Sequence, residues 1–253
     1  MEKIIVALFG LIWGSFLNVV IYRLPRGLSL ASPPSTCPKC GRRIKPYDNI
    51  PVLSFLLLGG RCRGCGVGIS FLYPAVEILT AASFVVLYGR FSLSFQWLTA
   101  CIFSCCLIAL CFIDLFHQIL PDEITLPGLV LALVYAVFRP DMTLRQSLVG
   151  AVSGAGFLLA VYGAYLIVRK KEGLGLGDVT MMLFVGAYLG WRGSALTLVL
   201  ASFAGALVGV FLIVVRKRDA QYALPFGTFL APAAFIALVW GDRILRAYFS
   251  LYR

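Results

Sequence analysis

Residues 95–114 read FQWLTACIFSCCLIALCFID, and the charged side chain in this stretch is its last one, Asp114. A helix needs about 20 mostly apolar residues to cross the hydrocarbon core of a bilayer. The stretch therefore predicts a transmembrane helix with a carboxylate at one end. Ionisable side chains are costly at such positions, which makes Asp114 a candidate functional residue.

Long apolar stretches recur along the whole chain. They lie at 4–22, 71–89, 124–138, 146–168, 178–190, 194–215 and 225–241. Of the 253 residues, 60% are hydrophobic and 13% are charged, whereas soluble domains are about 45–50% apolar and about 25% charged. We predict an all-α polytopic membrane protein with about eight transmembrane helices. The composition excludes a soluble fold, a disordered chain and a secreted disulfide mini-domain, and the unbroken apolar runs argue against an outer-membrane barrel.

A polar segment rich in Pro and Gly separates the first apolar stretch from the rest. We divide the chain into a first transmembrane helix (1–23), a loop domain (24–70) and a helical bundle (71–253). The first helix is expected to be retained, because it lacks the basic segment and cleavage site of a signal peptide. The loop is long for a connection and short for a hydrophobic core of its own, so we expect a staple within it.

We interpret the net charge of +11 as an indication of which loops lie on the cytoplasmic side of the membrane. With the N-terminus outside, 14 of the 22 Lys and Arg fall in inside loops, as the positive-inside rule favours. Lys171, Lys217 and Arg218 are among them, whereas Arg253 falls outside. We therefore predict a cytoplasmic loop domain with both chain ends outside, a lipid bilayer as the surroundings, and no nucleic-acid partner.

Two C-x-x-C pairs mark the loop. They are formed by Cys37 with Cys40 and by Cys62 with Cys65, and a glycine follows each pair. Four thiolates can hold Zn²⁺ tetrahedrally, and paired cysteines at about this spacing are typical of zinc ribbons. The alternative is four free or redox-active thiols. The remaining cysteines are expected to pack as small apolar side chains; they are Cys101, Cys105, Cys106 and Cys111.

A second aspartate lies at the start of an apolar stretch. Asp178 ends the sequence Gly-Leu-Gly-Asp that begins at Gly175, and the predicted orientation places it on the same side as Asp114. Two close carboxylates share one proton, so that one can accept a proton from water while the other hydrogen-bonds to a developing oxyanion. This is the chemistry of aspartic peptidases. Gly175 and Gly177 would let a substrate strand approach the backbone closely.

Simpler roles stay open for each acidic residue. Asp114 and Asp178 could be satisfied polar groups, and Asp178 could cap its helix. Asp122 follows a proline, and we expect it to act as a helix N-cap, with a supporting role at the site as the alternative. Glu77 lies early in the second apolar stretch, where it is either a functional group reachable from the cytoplasm or the partner of a loop arginine.

The ordered set of motifs resembles the type IV prepilin peptidases, the bifunctional leader peptidases and N-methyltransferases of bacterial inner membranes. The resemblance covers nearly the whole chain. It is carried by GSFLNVVIYRLP at 14–25, the two C-x-x-C pairs, IS at 69–70 with YPAVE at 73–77, Asp114 with LPD at 120–122, GLGD at 175–178 and PFG at 225–227. Thr228 stands where the last family motif often has proline.

This resemblance implies that Asp114 and Asp178 are the catalytic pair. It implies cleavage of the short basic leader of type IV prepilins or type II secretion pseudopilins after a glycine, on the cytoplasmic side. It also implies methylation of the new N-terminal amine with S-adenosylmethionine, and a zinc ion on the four loop cysteines. We hypothesise that Glu77 orients or deprotonates that amine.

Two alternatives to this assignment remain. The first is another G-x-G-D intramembrane protease, against which the cysteine loop and the N-terminal motif argue. The second is a non-enzymatic transporter or assembly subunit, in which Asp114 and Asp178 would line an ion path.

Overall fold

The computed structural model describes residues 1–170, 175–216 and 224–251. Within these ranges the regular elements are helices. Their bounds are α1 Glu2–Arg23, α2 Leu53–Leu57, α3 Leu72–Phe91, α4 Phe95–His117, α5 Asp122–Phe138, α6 Leu144–Arg169, α7 Leu176–Arg216 and α8 Gly227–Ser250. Four basic residues used in the charge argument lie outside the described residues; they are Lys171, Lys217, Arg218 and Arg253.

The predicted all-helical membrane fold is confirmed. Among the residues that the structure describes, six helices are long and apolar enough to cross a bilayer, namely α1, α3, α4, α6, α7 and α8. The prediction of about eight spans also counted α5, which has 17 residues and is short for a hydrocarbon core of about 30 Å. It further counted α7 twice. That helix is interrupted at Gly190, whose φ of 71° and ψ of 176° are not helical, so its two parts match two predicted stretches.

The chain forms two compact units, Met1–Ala109 and Leu110–Arg253. The boundary lies within α4, and the division of the chain after residues 23 and 70 stays a prediction. The loop of residues 24–70 belongs to the first unit.

Two glycines allow α1 and α3 to pack backbone against backbone in the first unit. A Cβ atom on Gly10 would lie 2.6 Å from the Cα of Ala81, and one on Gly14 would lie 2.6 Å from the Cα of Glu77. Small residues spaced by four are what membrane helices use for such close contact. The contact at Gly14 brings Glu77 against the polar end of α1.

The second unit has an equally close contact between α6 and α7. A Cβ atom on Gly150 would lie 2.3 Å from the carbonyl oxygen of Gly186 and 2.6 Å from the Cα of Gly190. At the end of α5, the guanidinium of Arg139 donates to the carbonyl oxygen of Tyr188 at 2.8 Å. These contacts hold the first part of α7, which carries Asp178, against its neighbours.

Replacing Gly150 with alanine should destabilise the second unit, because the added methyl group would overlap the backbone of α7. Overpacking of this kind costs about 1–3 kcal/mol. We expect a lower midpoint of thermal unfolding in detergent. Gly156→Ala on the same helix is the matched control, since nothing lies within 4 Å of its Cβ position. A wild-type midpoint for Gly150→Ala would contradict the close contact.

Candidate functional site

Asp114 lies in the last turn of α4 and is 5% exposed. Its Oδ2 accepts a hydrogen bond from the backbone N–H of Thr228 at 2.7 Å and another from the Thr228 hydroxyl at 3.1 Å. The backbone N–H of Gly227 also donates to this carboxyl. Gly227 and Thr228 begin α8, and the first N–H groups of a helix have no partner within it. The carboxylate therefore uses donors that the start of α8 would otherwise leave unpaired.

Asp178 is the third residue of α7 and is 7% exposed. Its Oδ2 accepts a hydrogen bond from the backbone N–H of Gly175 at 3.3 Å. Because α7 begins at Leu176, Gly175 holds the capping position. The alternative in which Asp178 is the N-cap is therefore wrong in position, although its side chain does satisfy a backbone donor at the helix start.

The structure brings the two aspartates together. The carboxyl of Asp178 is close enough to Asp114 for a direct like-charge interaction between them. Leu120 packs beside both helix starts: a Cβ atom on Gly177 or on Gly227 would lie 2.9 Å from its side chain. On Gly227 the same atom would also lie 3.0 Å from Oδ2 of Asp114. Glycine at these positions therefore leaves room for the leucine and the carboxylate.

A buried pair of carboxylates from different helices has a defined chemical capacity. Two like charges at close range do not both ionise readily, so the pair holds one proton between them. The ionised member can act as a general base toward water, and the protonated member can act as a general acid.

The predicted capping role of Asp122 is wrong. Pro121 occupies the N-cap of α5 and no side chain caps the helix, so Asp122 is the first helical residue. Its exposed carboxylate accepts a hydrogen bond from the hydroxyl of Thr125 at 3.3 Å. Proline fixes φ near the value needed at a helix entry, which moves the helix boundary one residue toward the N-terminus.

Glu77 is 7% exposed and is held by the loop backbone. Its Oε2 accepts a hydrogen bond from the N–H of Val52 at 2.7 Å, and the Ser15 hydroxyl also donates to it. None of the arginines of loop 24–70, all of which are described, forms an ion pair with it. The alternative of an arginine partner is therefore wrong.

The backbone at Val52 is strained. Val52 has φ 60° and ψ −48°, and the N–H of Leu53 donates to the carbonyl of Pro51 at 2.5 Å. This is a γ-turn with positive φ, a rare conformation that is unfavourable for a β-branched residue. Such strain persists only where surrounding contacts enforce it, and it concentrates at binding sites. Here it points the N–H of Val52 at Glu77.

A cavity of about 490 Å³ lies within the first unit, between the loop and the ends of α1 and α3. Its lining includes Asn18, Tyr22, Arg23, Tyr73 and Glu77. Asn18 is itself fixed, since its side-chain amide donates to the carbonyl of Tyr73 at 3.0 Å. The volume is in the range of small-molecule sites, and the lining combines apolar side chains with polar and basic ones.

The four loop cysteines form one cluster. Their Sγ atoms all lie within 4.8 Å of one another, and those of Cys37 and Cys65 are 3.9 Å apart. Sulfurs at 2.3 Å from a tetrahedral zinc ion would be about 3.8 Å apart. In each C-x-x-C pair the following glycine has φ of 69°, and its N–H donates to the first cysteine's carbonyl at 2.9 Å. The donor set and its geometry fit a metal ion.

The cysteines differ in their readiness to ionise. The backbone N–H groups of Cys40 and Lys39 lower the pKa of the Cys37 thiol to about 6. Cys65 receives a hydrogen bond from Val67, but desolvation and the three neighbouring sulfurs raise its pKa to about 11. A cation that binds all four sulfurs must therefore displace protons, so its affinity falls as the pH is lowered.

Some residues at the aspartate pair were not assigned from the sequence. Gly227 belongs to the PFG motif, to which the sequence assigns no function, and Thr228 departs from the family pattern. Both contact Asp114 across more than a hundred residues of chain. The signal that could have found them is the position of PFG immediately before an apolar stretch, where free N–H groups are expected.

The comparisons with known proteins cover nearly the whole chain. The model of the bacterial peptidase A24 N-terminal domain matches residues 8–91, and that of the type IV leader peptidase family matches residues 101–210. Relatives named prepilin leader peptidase/N-methyltransferase occur in Aeromonas salmonicida (40% identity over 97% of this chain and 93% of the relative), Pseudomonas putida (41% over 96% and 92%) and Pseudomonas aeruginosa (38% over 95% and 91%).

Paired aspartates in a helical membrane bundle define the class of intramembrane aspartic peptidases. Within that class, the chain belongs to the type IV leader peptidase family. No solved structure gives a significant match to it.

Proposed function

We propose that this chain cleaves the leader peptides of prepilins or pseudopilins and then methylates the N-terminus that cleavage exposes. The observation that carries the proposal is the pair of buried carboxylates, Asp114 at the end of α4 bound by the start of α8, and Asp178 in the first turn of α7. The names of the relatives support the choice of substrate and the second activity. The apolar helices support a membrane location, which we propose to be the bacterial inner membrane, and the lysine and arginine counts support a cytoplasmic loop with both chain ends outside.

In the cleavage step the ionised aspartate accepts a proton from water as the water oxygen attacks the carbonyl carbon of the last leader residue, the glycine. The protonated aspartate donates its proton to the carbonyl oxygen. The tetrahedral intermediate then collapses: one of its hydroxyl protons returns to the aspartate that is now ionised, the C–N bond breaks, and the departing amine takes up the proton held by the other aspartate. Each aspartate thus ends in a state from which the next cycle can begin.

Asp114→Asn and Asp178→Asn should each abolish leader cleavage, because an amide can neither take up the proton of the attacking water nor give a proton to the carbonyl oxygen as a carboxylic acid does. General acid–base groups contribute about 10²–10⁴-fold each, so the loss should be at least of that order. Purified protein in detergent and a prepilin would be compared by product mass. Asp122→Asn is the matched control, since Asp122 is exposed at the start of a neighbouring helix, and it should cleave normally. Cleavage by either of the first two variants would contradict the assignment.

The cavity of the first unit is the proposed site for S-adenosylmethionine and the substrate amine. Its size suits a small cofactor, and it combines the fixed amide of Asn18 with the carboxylate of Glu77 and the strained turn at Val52. Methyl transfer requires a neutral amine aligned with the sulfonium carbon, so positioning is the main contribution of the protein. Glu77 would accept a hydrogen bond or a proton from the amine.

Glu77→Gln should lower methylation by about 10²-fold or more while leaving leader cleavage intact, since removing a positioned base costs this much. A pilin that already lacks its leader would serve as methyl acceptor, and the mass gain of one methyl group would be measured. Glu123→Gln, at an exposed position, is the control. Wild-type methylation by Glu77→Gln would exclude the role.

Zinc is the proposed occupant of the four-cysteine cluster, where it would hold the loop of residues 24–70 in its folded form. Cys37 and Cys62 also line the cavity. The cluster therefore supports the wall of the proposed methyl-transfer site, which is why we associate the loop with methylation.

Cys40→Ser should lose stoichiometric zinc, because three thiolates bind the ion more weakly than four and leave a coordination position open. Metal content would be measured by mass spectrometry on protein purified without chelators. Cys106→Ala, which removes a cysteine of α4 instead, should retain zinc. A zinc-free wild-type protein prepared in this way would contradict the site.

A further inference from the structure

The two aspartates differ in the hydrogen-bond donors around them. Asp114 receives three, from the N–H and hydroxyl of Thr228 and from the N–H of Gly227. From the described residues, Asp178 receives one backbone N–H, that of Gly175, at the longer distance of 3.3 Å. A hydrogen bond to a carboxylate favours its ionised form. The surroundings of the pair are therefore unequal, and the inequality originates mainly in Thr228.

Both Thr228 donors converge on one oxygen, Oδ2 of Asp114. The hydroxyl has a single hydrogen, and the carbonyl oxygen of Cys111 is its other acceptor at 3.5 Å. The carboxylate is nearer, at 3.1 Å, and it carries charge, so it is the stronger acceptor. The Cys111 thiol in turn donates to the Thr228 carbonyl at 3.7 Å. Both the N–H and the carbonyl of Thr228 are therefore bound by side chains of α4.

Helix dipoles do not remove this inequality. The start of α8 favours a negative charge on Asp114, and the first turn of α7 favours one on Asp178. The C-terminal end of α4 opposes ionisation of Asp114. Hydrogen bonds to a charged group generally outweigh a dipole contribution, so the additional donors decide the balance.

We infer that Thr228 is a positioning residue that keeps Asp114 as the ionised member of the pair. Asp114 is then the base that takes the proton of the attacking water, and Asp178 carries the proton that goes to the substrate carbonyl oxygen. The inference rests on the proposed peptidase function, whose division of labour it specifies. Among the described residues, the titratable groups that face Asp114 are Asp178 from α7 and Cys111 from its own helix; Leu120, Gly227 and Thr228 are uncharged.

The test is the pH dependence of kcat/KM for prepilin cleavage, whose acidic limb reports ionisation of the base in the free enzyme. Thr228→Val keeps the size of the side chain and the backbone N–H but removes the hydroxyl donor. It should move the acidic limb to higher pH by about one unit, the equivalent of one hydrogen bond to a charged group. Thr228→Pro also removes the N–H, at a first-turn position that tolerates proline, and should move the limb by about two units.

Two further variants separate positioning from folding. Thr228→Ser retains both donors, so its acidic limb should lie at the wild-type position. Thr197→Val is the matched control: Thr197 is fully buried in α7, and its hydroxyl donates to the carbonyl of Gly193 at 2.8 Å. It removes a buried hydroxyl elsewhere and should leave the limb unmoved even if it lowers the unfolding temperature.

The outcomes distinguish the inference from the function beneath it. If Thr228→Val and Thr228→Pro keep the wild-type acidic limb while Asp114→Asn is inactive, the positioning role is wrong and the peptidase assignment stands. A uniform loss of rate or stability without movement of the limb would likewise overturn the inference. If Asp114→Asn cleaves normally, the proposed function itself fails.

Discussion

A carboxylate inside an apolar bundle needs hydrogen-bond donors, and the donors that a helical bundle has to spare are the N–H groups at helix starts. The three acidic residues that are buried within the described ranges all use them. Asp114 binds the start of α8, Asp178 binds the residue before α7, and Glu77 binds the N–H of Val52 immediately before α2. The positions of the helix starts therefore fix where acidic chemistry can occur.

Glycine is the second constraint, because the acidic groups and their helices must approach closely. Gly14 lets α1 touch α3 beside Glu77, whereas Gly177 and Gly227 make room for Leu120 next to the aspartates. A side chain at any of these positions would displace a neighbour by several tenths of an ångström or more. The motifs around the acidic residues thus combine a charged group with the space that it requires.

Much of the architecture was predictable from local sequence. Apolar runs identified the spans because a span has a fixed minimum length, and paired cysteines identified the cluster because metal coordination fixes their spacing. Asp114 and Asp178 are identifiable as candidate functional residues because a charged side chain at the end of an apolar run is costly. The structure places them together, but the sequence could not state their distance.

The rest depended on contacts between distant segments. The three donors to Asp114 come from residues more than a hundred positions away, and the N–H of Val52 in the strained turn is bound by Glu77 from α3. The prediction that Asp122 is an N-cap is wrong because Pro121 occupies the N-cap position of α5. Propensity assigns a residue type to a helix end, whereas the tertiary arrangement decides which residue occupies each place there.

The measurement that bears most directly on the paired carboxylates is the pH dependence of single-turnover leader cleavage by the wild-type protein in detergent. A pair that holds one proton predicts a bell-shaped profile with two ionisations, since activity needs one aspartate charged and the other protonated. A profile that stays flat between about pH 4 and pH 9, or that shows a single limb, would contradict a shared proton as the basis of cleavage.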